Sequence, residues 1–376
     1  MRRTHVATKS AALLGLGTDA VVEVATDPAG AMIPSALRDA IGAARASGAV
    51  PFAVIGTAGT TVTSAFDDLD ALADICQAES LWLHVDGCYG GSALFSKRHR
   101  YLLRGVERSD SFVWNLHKMM GMTQQCTALL VRDPTRLAPC FAGQADYLFQ
   151  PDKLNADYDS GDRTFQCARR VDVLKLWLAW KHHGDDGFAA RIDHAVAMAD
   201  HARRRIADSG GRFAVVVAGG FTNVVFAWVP PAHRPLDLDP GSIAALPAGV
   251  AAELHALAPA IKAEMQRQGT AMVGYQPIAG LNTFRLLFMN PAKDTKRLSE
   301  PFRRTTYSFR RLSAREAGKI RPLRLLVVRT GPRESIRGLS KTLPYGRYNE
   351  SWFRVLNDMK QGQRLAPGSQ VKVVAA

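Results

Sequence analysis

Apolar positions in the first half of the chain follow two alternating rhythms. Val50–Ile55 is a short, β-rich apolar run leading into Gly56-Thr57-Ala58-Gly59-Thr60-Thr61. From Asp68 to Glu79 the apolar positions are Leu69, Leu72, Ala73 and Cys76, which is helical spacing. Leu81–Val85, Phe112–Trp114 and Thr127–Val131 are again short strand-like runs. Strands separated by helices predict βαβ units and a mostly parallel sheet flanked by helices. Farther on, Val171, Leu174, Leu178 and the stem of Lys181 predict a helix, and Ile192, Ala195, Met198 and Ala202 predict a longer one over Ala189–Ser209. Strands are expected at Arg212–Val217 and Thr222–Val229, around Gly219-Gly220. A helix is expected over about Ala244–Gln268, then strands at Thr270–Gly274 and Thr283–Met289. The pattern is α/β over residues 1–184 and α+β over 185–300, which predicts two domains with a boundary near Gly184. After residue 300 arginine becomes dense and Pro and Gly interrupt any period. One strand-like run, Leu323–Val328, survives. Residues 301–376 therefore read as a basic, poorly ordered tail.

Composition narrows the class. The 376 residues are 47% hydrophobic and 22% charged, ordinary values for a globular protein. No apolar run reaches ~18 residues, so no helical membrane span is implied. The start, Met1-Arg2-Arg3-Thr4-His5-Val6, does not read as a secretory signal, because the apolar stretch Ala11–Leu16 is short and broken by Gly15. Cys76, Cys88, Cys126, Cys140 and Cys167 form no CxxC pair and no zinc spacing, and the ten histidines are scattered. Free thiols in a reducing cytoplasm are the simple reading. The net charge of +14 is local: residues 301–376 hold seventeen Lys and Arg against four Asp and Glu, while the rest is nearly balanced. The global charge therefore gives little reason to expect a nucleic-acid partner. Within the tail, Phe302, Tyr307 and Phe309 stand among arginines, where base stacking is conceivable and disorder is the competing reading.

Two segments carry candidate chemistry. Lys118 closely follows a strand-like run in Ser111-Phe112-Val113-Trp114-Asn115-Leu116-His117-Lys118-Met119-Met120-Gly121. A lone lysine is ordinarily a solvated surface group. This one is flanked by Trp, Leu and two Met, which predicts partial desolvation and a better amine nucleophile toward an aldehyde. Asp86, in His84-Val85-Asp86-Gly87-Cys88-Tyr89-Gly90-Gly91, stands at the C-terminal end of another run, where α/β sheets place ligands. A carboxylate there can pair with a protonated pyridine nitrogen. A turn or cap aspartate is the alternative.

Further segments join these two: GTAGTT at Gly56–Thr61, Phe66-Asp67, Tyr147-Leu148-Phe149-Gln150, Asp152-Lys153, Tyr158–Asp162, Gln166-Cys167, Trp177, Thr222-Asn223-Val224, Tyr275-Gln276-Pro277 and Phe284-Arg285. Together they resemble the group II amino-acid decarboxylases that depend on pyridoxal 5'-phosphate (PLP), in the branch acting on glutamate and cysteine sulfinate. The resemblance covers about residues 4–291. It implies a fold-type-I PLP-dependent transferase large domain, incomplete at its N-terminus, with a small α+β C-terminal domain. It also implies a cytoplasmic homodimer that removes the α-carboxylate of a small acidic L-amino acid: glutamate, aspartate or cysteine sulfinate. By that resemblance Lys118 forms an aldimine with PLP, Asp86 pairs with the ring nitrogen and His117 contacts the phosphate. Thr57, Cys88, Asn115 and His5 complete the cofactor's surroundings. Tyr147 falls on a mobile loop and returns a proton to Cα, and Arg285 grips the α-carboxylate with its planar fork.

The chain departs from that pattern in four places. Leu116 stands where the family has proline, with an expected loss of backbone rigidity. Gly87-Cys88-Tyr89 replaces Ala-Ala-Trp, bringing a thiol beside the ring. The family's N-terminal section with its Gly/Ser-rich phosphate loop is not recognised, which predicts weaker PLP binding. The basic tail has no counterpart, as a shifted reading frame or a fusion would produce. Three alternatives stand beside an active decarboxylase: a remnant that keeps the residues without holding PLP, another fold-type-I enzyme such as an aminotransferase, and a polyanion binder working through the tail.

Overall fold

In each of the first two strands, side chains alternate between the protein interior and the opposite face, and helices cover them. β1 (Ala53–Thr57) and β2 (Trp82–Asp86) bury every second residue, among them Val54, Leu83 and Val85. The computed structural model describes residues 5–141, 152, 154, 161–166, 169–269, 273–290, 324–343, 346–360 and 362–375. It divides into two compact units, residues 1–307 and 308–376.

In the first unit, α1 (His5–Leu13) and α2 (Pro34–Ala46) precede β1. Proline at the first position of α2 fits a helix start, where its missing N–H costs no intrahelical bond. α3 (Leu69–Glu79) joins β1 to β2. Asp68 caps it by accepting the Ala71 N–H at 3.1 Å, and it buries Leu69, Leu72, Ala73, Ile75 and Cys76. β3 (Ser111–Trp114) pairs parallel with β2, and β4 (Ala128–Val131) pairs antiparallel with β3, in the order β1-β2-β3-β4. The expected mostly parallel sheet flanked by helices is present, with one antiparallel edge. Asp110 fixes the start of β3 by accepting the Leu83 N–H at 2.8 Å.

After the short α4 (Leu137–Phe141), α5 runs over Asp172–Ala207. The hydrophobic pattern predicts two helices here; the structure has one helical stretch that bends at Gly184 (φ 63°, ψ 178°). That backbone geometry suits a residue without a Cβ. Both sides of the bend belong to the same compact unit. A second sheet follows, formed by β5 (Phe213–Val215), β6 (Asn223–Trp228), β7 (Gly274–Ile278) and β8 (Leu281–Leu287), all antiparallel in the order β5-β6-β8-β7. α6 (Pro240–Ala244) and α7 (Ala248–Gln268) lie between β6 and β7 in sequence. Of the run expected at Thr270–Gly274, residues 270–272 lie outside the described residues; the described strand is Gly274–Ile278, which contains Pro277. Proline is tolerated there because β7 is an edge strand.

The second unit has a core of its own among its described residues, which begin at Arg324. The composition of 301–376 reads as poorly ordered, yet its described residues build a small core. β9 (Arg324–Arg329) pairs antiparallel with β10 (Gln370–Ala375), and Ile336, Leu343, Phe353, Val371 and Val373 are buried together. Arginine density hides this, because the apolar positions that form the core are far apart in sequence.

Replacing Leu83, 1% exposed, by alanine is expected to cost about 2–5 kcal/mol in urea unfolding followed by tryptophan fluorescence. Val327→Ala, at a position 62% exposed, should stay within ~0.5 kcal/mol.

Candidate active site

Three parallel strands end on one side of the first sheet, and the chain segments leaving them are bonded to one another. Ala58, just past β1, donates its N–H to the Asp86 carbonyl at 2.9 Å and accepts the Gly90 N–H at 3.0 Å. A Cβ on Gly90 would lie 2.5 Å from the Ala58 carbonyl oxygen, and one on Gly59 (φ 86°) would lie 2.9 Å from Gly90. The two segments meet backbone to backbone, which only glycine permits. In register, Thr57 stands opposite Asp86, and Asp86 opposite Val113. The Thr57 N–H donates to Asp67 at 2.7 Å, and the other Asp67 carboxylate oxygen accepts the Met32 N–H at 2.7 Å. Asp67 is buried and welds the end of β1 to the segment preceding α2. Phe66-Asp67 stands out in the sequence, but nothing there assigns it this role.

Asp86 accepts the Cys88 N–H at 3.0 Å. The Cys88 thiol is pushed up to about 12, first by burial, then by the Asp86 charge and a hydrogen bond to its carboxylate, and Lys118 opposes the shift. Asp86 and Cys88 are therefore held side by side, and the positive field of Lys118 reaches them. His84, two residues before Asp86, bonds Ser111 Oγ through Nδ1 at 2.8 Å, and burial lowers its pKa against the pull of Asp86.

Lys118 itself is half-buried on a turn after β3. Its N–H donates to the Asn115 carbonyl at 3.0 Å and its carbonyl accepts the Gly121 N–H at 3.1 Å. Leu116, Met119 and Met120 beside it are buried. Leu116 packs with Met120, Met122, Cys126 and Phe188, so burial anchors this turn at the position where the family pattern has a rigid proline. Asn115 Oδ1 accepts from Thr127 Oγ1 at 2.9 Å. The His117 ring is turned to the backbone of Cys126, with Nδ1 2.9 Å from the carbonyl oxygen. Trp114 donates to Ser92 Oγ at 2.9 Å and stacks on Phe95 at 5.6 Å between ring centroids.

Arg285 sits on β8 and reaches the same region from the second sheet. Its Nη1 donates to the Thr61 carbonyl at 2.5 Å, on the loop that begins with GTAGTT. Tyr147 lies outside the described residues, as does the side chain of His5, whose backbone begins α1. Among the described residues, no group of three or more His, Cys, Asp and Glu could hold a metal ion. No described helix is long and apolar enough to cross a membrane.

Residues 2–229 match the pyridoxal-dependent decarboxylase conserved domain. The chain belongs to the pyridoxal-dependent decarboxylase family. A family member of Rattus norvegicus, cysteine sulfinic acid decarboxylase, is 47% identical over 76% of this chain and 56% of its own length. An acidic amino acid decarboxylase of Bos taurus is 44% identical over 75% of this chain and 53% of its own. The apo crystal structure of mouse CSAD superposes with a TM-score of 0.72 at 42% identity, covering 81% of this chain and 62% of that one. The chain thus has the fold-type-I large-domain sheet, and it spans a little over half the length of the curated relatives it matches.

With its thiol pushed well up by burial and by the Asp86 charge, Cys88 stays protonated at pH 8. Iodoacetamide labelling read by peptide mass should leave Cys88 nearly unmodified while the exposed Cys140 reacts. Asp86→Asn removes both a charge and an acceptor that raise the thiol, so Cys88 should label faster and its labelling curve should move to lower pH.

Proposed function

We propose that this chain serves PLP-dependent removal of the α-carboxylate from a small acidic L-amino acid. The observation that carries the reading is that Asp86 ends β2 opposite Val113 of β3, the parallel strand whose following turn carries Lys118. The donor set fits the cofactor: an amine on a turn with buried apolar neighbours, a carboxylate fixed by a backbone N–H, and a glycine-lined approach of two loops. When bound, PLP supplies an electron sink for the pair released as the bond from Cα to the carboxylate breaks.

The chain's own residues divide the remaining work. Lys118 Nζ would hold the cofactor covalently, and Asp86 would pair with its ring nitrogen. Thr57, Asn115, His117, Cys88 and His5 belong to the proposed surroundings of the cofactor. Cys88 keeps its proton at Sγ and shares it with Asp86, so it does not compete with Lys118 as a nucleophile. Arg285 Nη1, now on the Thr61 carbonyl, would orient the substrate α-carboxylate. The Tyr147 hydroxyl would return a proton to Cα. Cysteine sulfinate is the first substrate to test, because the rat relative is named for it. We assign the protein to the cytoplasm, a reading supported by free thiols at Cys76, Cys88, Cys126 and Cys140. Homodimer formation belongs to the same proposal. Val171, Leu174, Trp177 and Leu178 leave an exposed apolar stripe on and beside the first turns of α5, as an interface would.

Borohydride reduction of the full chain with PLP should leave a pyridoxyl adduct on Lys118, found by peptide mass. Lys118→Ala should lose the adduct and lower CO2 release from cysteine sulfinate, aspartate or glutamate by at least about a thousandfold. No adduct on Lys118 in the wild-type chain would overturn the reading.

A further inference from the structure

Asn223 opens β6, in the Thr222-Asn223-Val224 segment that the catalytic assignment leaves without a role. It is 2% exposed, at the foot of the second sheet. Its Nδ2 donates to the Thr61 carbonyl at 3.0 Å, across 162 residues of sequence. That carbonyl also accepts Arg285 Nη1 at 2.5 Å. One backbone oxygen thus receives two side-chain donors, one from β6 and one from β8, which are paired neighbours in the sheet. The amide orientation is set by this bond, and Oδ1 of Asn223 is buried without a hydrogen-bond partner. Leaving half of a buried amide unsatisfied costs stability, so simple packing does not explain an asparagine here. The donor half does explain it. Around the same point, Arg203 Nη2 donates to the Asn223 carbonyl at 2.8 Å, and the Tyr89 hydroxyl bonds Thr222 Oγ1. The loop carrying Thr61 is therefore fastened to the strand that Arg285's own strand pairs with.

We propose that Asn223 is a positioning residue for Arg285, acting through the Thr61 carbonyl that both side chains share. It holds the loop so that the acceptor for the guanidinium stays in one place, and thereby sets where Arg285 waits for a carboxylate. The inference rests on the proposed role of Arg285, and the two are separated in the test below.

The test uses the full chain with PLP and two readouts. The first is KM and kcat with cysteine sulfinate. The second, which needs no turnover, is the rate at which phenylglyoxal modifies Arg285, read by peptide mass spectrometry. Asn223→Ala and Asn223→Leu should raise KM by about fivefold with a much smaller change in kcat, and speed Arg285 modification by a similar factor. Thr222→Val breaks the neighbouring bond to Tyr89 without touching Thr61, so it should leave Arg285 reactivity as in the wild type. Should an Asn223 variant fail to fold, Asn223→Ser, too short to reach Thr61, gives the same reading. Unchanged Arg285 reactivity in the folded Asn223 variants overturns the proposal, as does an equal rise with Thr222→Val. If Arg285 reactivity rises but neither the Asn223 variants nor Arg285→Lys changes KM, the positioning link stands and the substrate role of Arg285 fails.

Discussion

The loop after β1 and the turn after β2 approach within backbone contact, and the site depends on that approach. Ala58 bonds Asp86 and Gly90 at once, and neither Gly59 nor Gly90 has room for a Cβ. The contact fixes the height of Asp86 above the strand ends. It also fixes the start of the loop that continues to Thr61, and so the point to which Arg285 is tied. A side chain at either glycine would push the two segments apart and separate the carboxylate from the guanidinium's anchor.

Charge placement follows from that geometry. Asp86 is held by the Cys88 N–H, the thiol beside it stays protonated, and Lys118 supplies the positive charge near both. The half-buried setting makes each of these interactions stronger than it would be in water. Burial also keeps His84 toward its neutral form, so its position on β2 beside Asp86 adds little positive charge. The second sheet contributes through hydrogen bonds to a backbone carbonyl of the first: Arg285 and Asn223 both donate to Thr61, while Arg203 of α5 donates to the Phe221 and Asn223 carbonyls. Backbone acceptors tolerate changes in side chain, which makes them durable anchors between the two sheets.

Much of this was legible in local sequence. The period-two and helical rhythms locate β2, β3 and α3 to within a residue or two, because each buries apolar side chains in one core, and β4 is found from its apolar run although Leu129 and Leu130 are exposed. Lys118 and Asp86 stood out for a related reason: both lie just past or at the end of short buried runs. Where local pattern was weaker, element bounds moved. α7 begins at Ala248, four residues after the helix start expected near Ala244, with Pro247 just before it. The folded second unit was hidden by its arginines, since its core residues Ile336, Phe353 and Val371 are scattered between turns.

The sequence by itself determined the family and pointed to its candidate residues: a lysine and an aspartate beside strand-like runs, in a pattern that the family match bears out. Only the tertiary structure decided how those residues are held. That Leu116 anchors the lysine turn by burial, that Asp67 clamps the end of β1, and that Asn223 and Arg285 meet on one carbonyl all depend on contacts between distant segments. The Arg285 bond closes over 224 residues. Hydrophobic periodicity reports which face of an element is buried, and it carries no information about which distant donor finds which acceptor.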